Sequence, residues 1–187
     1  MVKNLASGKL VLLHALEGMT TVSSGGWSAD GKAIYVTMYQ PGYMAPILGL
    51  WRGDPATGAL TSYIPASPAE GKFTLVAGVH PGRDGSVYAL LATTDKIPEV
   101  GGDNVAWPKF GLYRVSADGK QIQQLGNPNN ENPGDVVLWT KDDSGALIDA
   151  HSVDANNVST AMLWLPSDGG PAVTIPASSS VLRWGDE

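Results

Sequence analysis

One recurring turn constrains this chain more than any other feature. In Trp27-Ser28-Ala29-Asp30-Gly31-Lys32-Ala33-Ile34-Tyr35-Val36 an aromatic residue leads into an Asp-Gly turn, then into a run of β-branched and aromatic residues. Asp-Gly between apolar runs is a strong hairpin signal, because the aspartate accepts nearby backbone N–H groups and the glycine supplies positive φ. The pattern returns along the chain, so an all-β architecture of repeated hairpins is expected.

Three units of four strands line up. The first covers about residues 20–65, with turns at Asp30-Gly31 and at 54–58. The second covers about 73–126, with turns at Asp84-Gly85 and Asp118-Gly119. Its third strand, Gly111-Leu112-Tyr113-Arg114, matches Gly49-Leu50-Trp51-Arg52 position for position. The third unit covers about 135–175, with Trp139 in the place of Trp27 and Trp164 in the place of Trp51. Partial copies flank these units. Residues 4–11 match 54–61, a turn and the fourth strand, and 180–185, with Trp184, match an opening strand. The reading is one domain over 1–187, with three complete four-stranded antiparallel units and a split, incomplete fourth from 4–16 and 180–185. A plain antiparallel sandwich with Asp-Gly turns is the alternative. The spacing of Leu10, Leu13 and Leu16 also fits a short helix over 7–17.

The Trp27-Ser28-Ala29-Asp30-Gly31-Lys32 block, with Leu50-Trp51-Arg52 and Thr57-Gly58 after it, resembles the blades of TolB-like, WD-repeat-like β-propellers. The same repeats are similar to the propeller domains of prolyl-oligopeptidase-type enzymes. The resemblance implies a β-propeller of four-stranded blades. In it Trp27, Asp30, Gly31, Trp51, Asp84, Gly85, Tyr113, Trp139, Trp164 and Trp184 are structural repeat residues, building turns or filling the space between sheets. It implies nothing about function. The second unit departs from the motif with Pro81-Gly82-Arg83-Asp84-Gly85, and the third with Trp139-Thr140-Lys141-Asp142 and Ser144 before Gly145. A split fourth unit would leave strand edges open. Three outcomes are therefore expected in order: a piece of a propeller of about six to eight blades, self-association through open edges, or a compact four-bladed ring.

Charge narrows the function classes. The net charge is −6, and the twelve Lys and Arg residues are scattered. Nucleic acid and anionic membrane surfaces both need a clustered cationic face, so both are disfavoured. The absence of cysteine excludes disulfides and thiolate chemistry. No apolar run reaches the ~18 residues of a membrane span. Residues 1–16 do not read as a signal peptide. A periplasmic or extracellular location is expected only if an export signal lies outside this sequence.

Catalytic motifs are absent from the reading. His14, His80 and His151 lie in different units without metal-ligand spacing. Asp143-Ser144-Gly145 falls on a repeated turn, and no Gly-x-Ser-x-Gly elbow or P-loop occurs. Asp149 and Asp154 flank His151 and would allow a base with an orienting carboxylate, but no nucleophile is placed beside it. No catalytic residue, cofactor or metal is expected. The connections at 39–48, 93–109 and 127–134 are long, and the propeller resemblance implies that they share one face, where such loops carry function. Tyr39, Tyr43, Met44 and Trp107 offer apolar contact there, and Asp103 and Asn104 polar contact. That mixture suits a protein or peptide partner, unless the rings pack down as lids. Asp103-Asn104 and 127–132 offer oxygen ligands for Ca²⁺ without a loop signature. The expected function is a non-enzymatic binding module. The alternatives are the propeller part of a larger hydrolase, with its catalytic residues elsewhere, and a structural piece that self-associates.

Overall fold

Apolar runs punctuated by Asp-Gly turns fold back on themselves, and four consecutive runs make a meander. The structure, a computed structural model, describes residues 2–3, 8–13, 21–39, 49–66, 71–96, 110–126, 132–154 and 157–175. These residues form strands and turns and no helix, so the chain is all-β. A short pair comes first, β1 (Val2–Lys3) with β2 (Leu10–Val11). Sheet 1 contains β3 (Thr21–Trp27), β4 (Ile34–Tyr39), β5 (Leu50–Gly53) and β6 (Leu60–Ile64). Sheet 2 contains β7 (Phe73–Pro81), β8 (Val87–Thr94), β9 (Gly111–Val115) and β10 (Ile122–Gly126). Sheet 3 contains β11 (Asn132–Trp139), β12 (Gly145–Asp154), β13 (Asn157–Pro166) and β14 (Val173–Ile175). Each sheet is antiparallel and ordered as the chain runs.

The β1–β2 pair repeats the geometry of β5–β6. Lys3 pairs with Leu10 as Gly53 pairs with Leu60, and Val2 pairs with Val11 as Arg52 pairs with Thr61. Gly8 and Gly58 both take positive φ, at 70° and 81°. The helix alternative over 7–17 fails where the chain is described, since Leu10 and Val11 are strand.

Sheet 2 is the middle layer. Residues 87–92 of β8 are buried without a break, so both faces of that strand are covered. Val87, Ala89 and Leu91 pack with Tyr35, Leu50, Tyr63 and Ile64 of sheet 1. Tyr88, Leu90 and Ala92 pack with Ala146, Ile148 and Leu165 of sheet 3. The two-residue period of a strand assigns alternate side chains to these two cores. The first strands of the three sheets are neighbours, β3 beside β7 and β7 beside β11. Gly25 permits the first contact, because a Cβ there would lie 2.8 Å from the Val79 Cβ. The far face of sheet 1, Ile34, Val36 and Met38, is covered by Leu13, Trp51 and Leu60. Tyr63 ties sheets 1 and 2 together, its hydroxyl donating to the Ser116 carbonyl at 2.6 Å. Its ring meets Tyr35 edge-on, and burial pushes the phenol upward from its ordinary value.

Sheet 3 departs from the expected unit. Its first strand begins at Asn132 rather than near Val136, so 132–134 are strand and not connection. Pro133 is tolerated because β11 is an edge strand, where a missing N–H costs no ladder bond. The second and third strands run ten residues each and stay paired from Gly145↔Pro166 to Asp154↔Asn157. Only two residues separate their paired ends, unlike the long links of sheets 1 and 2.

Candidate functional site

The turns come first, because they hold most of the described aspartates. Ser28 N–H donates to Ala33 O, Gly31 N–H to Ser28 O, Lys32 N–H to Asp30 Oδ1 and Ala33 N–H to Ser28 Oγ. The same four bonds recur at 140–145, where Asp142 takes the Ser144 N–H. They recur again at 116–121, where Asp118 takes the Lys120 N–H. The last of these joins third and fourth strands, so the Ser-Ala-Asp-Gly-Lys sequence marks a hairpin and not the start of a unit. Asp84 and Asp168 likewise accept the N–H two residues on. Such bonds favour the carboxylate form. The Lys32 N–H and Ser28 hydroxyl hold Asp30 below its ordinary value, and the Ser144 hydroxyl and N–H bring Asp142 to about 2. Asp30 and Asp142 are thus anions at neutral pH and do not donate protons.

Asp143 breaks the turn rule. It stands where Gly31 stands in the first turn and takes φ 61°, the one non-glycine at positive φ among the described residues. Its carboxylate reaches across to sheet 2, with Oδ1 2.7 Å from His80 Nε2 and Oδ2 accepting the Arg83 N–H at 2.9 Å. Its carbonyl accepts the Ser167 hydroxyl. The His80 ring stacks on Trp139 with centroids 5.0 Å apart, and Tyr88 lies beside Trp139. The strain of a left-handed aspartate is offset by bonds that lock two sheets together. Trp27 occupies the matching place on sheet 1. It is 48% exposed there rather than packed between sheets.

Burial alone would raise the Asp143 carboxyl, but the Arg83 N–H and His80 hold it below its ordinary value. A depressed folded value contributes stability above the unfolded value of about 3.9, and that contribution is lost as pH falls through the folded value. Asp143→Asn keeps a residue that tolerates positive φ and removes the charge. It is expected to cost about 1–3 kcal/mol at neutral pH. The difference from wild type is expected to shrink as pH falls below the unfolded carboxyl value of about 3.9 and through the lower folded one. Urea melts of both proteins across pH check this, and a pH-independent difference contradicts it.

A polar groove opens on sheet 2 at its turn end. Asp84, Ser86, Arg114, Ser116, Ala117, Gln121 and Gln123 line about 250 Å³. The Ser86 hydroxyl and N–H both donate to Asp84 Oδ1, and Arg114 Nη2 donates to Oδ2. Arg114 Nε points at Ser86 Oγ, 3.4 Å away. Ser86, followed by Arg114, holds Asp84 below its ordinary value, and Asp84 raises Arg114. The pair is thus fixed as ions. The groove offers amide, hydroxyl and guanidinium hydrogen bonds around a neutralised charge pair. It can recognise a polar group.

The chain matches no protein-family model and no curated protein. Of the residues expected to bind a partner, Tyr39 ends β4. Tyr43, Met44, Asp103, Asn104 and Trp107 lie outside the described residues, as do Trp184 and His14. Trp51 packs on the far face of sheet 1 and Tyr113 against the core between sheets 1 and 2. Trp164 lies over Gly145, where a Cβ would come within 2.5 Å of its ring. His151 pairs with Asn132 and Thr160 along the backbone of sheet 3. No group of three or more His, Asp or Glu among the described residues is placed to hold a metal ion, and no helix among them is long and apolar enough to cross a membrane. Sequence reading missed the groove. Its available signals were the arginine shared by positions 52 and 114 and the alternating glutamines at 121 and 123.

Proposed function

We propose that this chain is a TolB-like, WD-repeat-like β-propeller module without catalytic activity, which binds a protein or peptide through its long-loop face. The observation that carries the reading is the stacking of three chain-ordered four-stranded meanders with their first strands side by side, β3 to β7 to β11. Propeller blades pack in this way around a central axis. The tight turns support one polarity for all three sheets, because Tyr63 reaches the 116–121 turn and His80 reaches the 140–145 turn. The links after β4 and β8 then leave at the opposite end, and the sequence of those links supplies Tyr43, Met44 and 103–107. Aromatic rings interleaved with polar groups suit a protein contact. Tyr43→Ala combined with Trp107→Ala is expected to abolish partner capture in a pull-down while thermal melting stays as in wild type. Undiminished capture by the double variant rejects this face.

A further inference from the structure

We propose that the free edge of β10 receives an extended peptide strand from a partner, with one neutral hydrogen-bonding side chain of that strand seated in the groove beside Arg114. This surface is separate from the long-loop face and does not depend on it. β10 is the outer strand of sheet 2 and pairs only with β9 among the described residues. Among the described residues its other edge has no strand partner and presents main-chain N–H and C=O groups, the template for strand addition.

Proteins usually protect such an edge with charge, proline, a bulge or a cover. Residues 121–124, Gln-Ile-Gln-Gln, are all exposed and contain neither charge nor proline. The only register shift lies between Gln124 and Gly126, past this stretch. The other outer edges are less open. On β6, Tyr63 and Ile64 are buried, and a Cβ on Gly119 would come within 2.9 Å of the Tyr63 carbonyl. At β10 the corresponding approach, from Gly169 to Leu125 O, is looser at 3.5 Å. β14 has three residues and follows Pro171.

The groove sets what the added strand carries. Gln123 pairs with Arg114, so Gln123 and Gln121 share the face on which the groove opens. Ile122 pairs with Val115 and is 46% exposed on the opposite face. An added strand would therefore alternate, meeting the glutamines with one side chain and Ile122 with the next. Asp84 and Arg114 neutralise one another at the groove wall. A carboxylate entering there meets Asp84, and an ammonium meets Arg114. An amide or hydroxyl can both donate to and accept from the glutamine side chains. The partner strand is thus apolar and β-branched opposite Ile122, and Asn, Gln, Ser or Thr opposite Gln123.

Panning a phage-displayed library of random nine-residue peptides on the full chain tests this. Counter-panning uses Ile122→Lys/Gln124→Lys, two exposed changes that place charge on the edge and leave the core intact. Expected are proline-free peptides with the stated alternation. As synthetic peptides they bind the edge variant at least about tenfold more weakly and slow amide exchange over 122–125. Arg114→Lys, which keeps the charge and loses the planar fork, weakens peptides carrying the amide and not those with alanine there. The proposal is overturned if selected peptides bind wild type and edge variant alike, or if exchange slows elsewhere. It is also overturned if sedimentation shows wild-type dimers that the edge variant abolishes, since the occupant would then be a second copy.

Discussion

Gly49→Ala is expected to destabilise the protein by about 3–5 kcal/mol, or to prevent folding at ordinary temperature. Two costs combine. Gly49 takes φ 69° just before β5, a conformation that costs an L-residue about 1–2 kcal/mol. In addition, a Cβ there would lie 2.1 Å from the Ile64 carbonyl and 2.9 Å from the Ala66 nitrogen and the Pro65 carbonyl carbon. All three are backbone atoms at the end of β6, so no side chain can swing away. Gly31→Ala is the control, with φ 68° and nothing within 4 Å. It carries the backbone cost alone, about 1 kcal/mol. Urea unfolding of both variants separates strain from collision; equal losses would contradict the close approach of β5 to the end of β6.

Leu112→Ala is expected to cost about 3–5 kcal/mol. Leu112 is fully buried on β9 and joins Leu75, Leu90, Ile148 and Leu165 in the core between sheets 2 and 3. These neighbours sit on paired strands of two sheets, which cannot collapse into the vacated space without breaking ladder bonds. The variant thus loses both transfer energy and packing. Ile122→Ala, at an exposed position on the next strand of the same sheet, is expected within about 0.5 kcal/mol of wild type. Comparable urea midpoints for the two variants would show that sheets 2 and 3 do not share a core in solution.

Both predictions rest on facts of different range along the chain, and the same division decides what could be read in advance. The turn network needs only six consecutive residues. Ser28, Asp30 and Gly31 make their bonds to one another and to the next three positions, so local sequence is enough. The match of 4–11 to 54–61 is legible for that reason, and it reappears as the same pairing register. The order of strands within each sheet follows as well, because strands consecutive in sequence usually pair with one another. The long strands of sheet 3 were harder to read. Residues 132–135 and 157–161 lack an alternating apolar pattern and are extended because the backbone of β12 pairs with them.

The sites depended on neighbours distant in sequence. Trp27 and Trp139 end equivalent first strands, yet Trp139 stacks on His80 of the preceding sheet while Trp27 stays half-exposed. Asp143 reads as a turn residue, and its bonds to His80 and Arg83 exist only because sheet 3 lies against sheet 2. Asp84 lies in the turn between β7 and β8, Arg114 on β9 and Gln123 on β10, and the three side chains meet at one groove. By itself, the sequence determined the hairpins, their turns and the fourfold count of strands per unit, because those follow from bonds within a few residues. Only the tertiary structure decided which aromatic is buried, which carboxylate crosses between sheets and where a groove opens. Those outcomes depend on the faces that the stacked sheets turn toward one another.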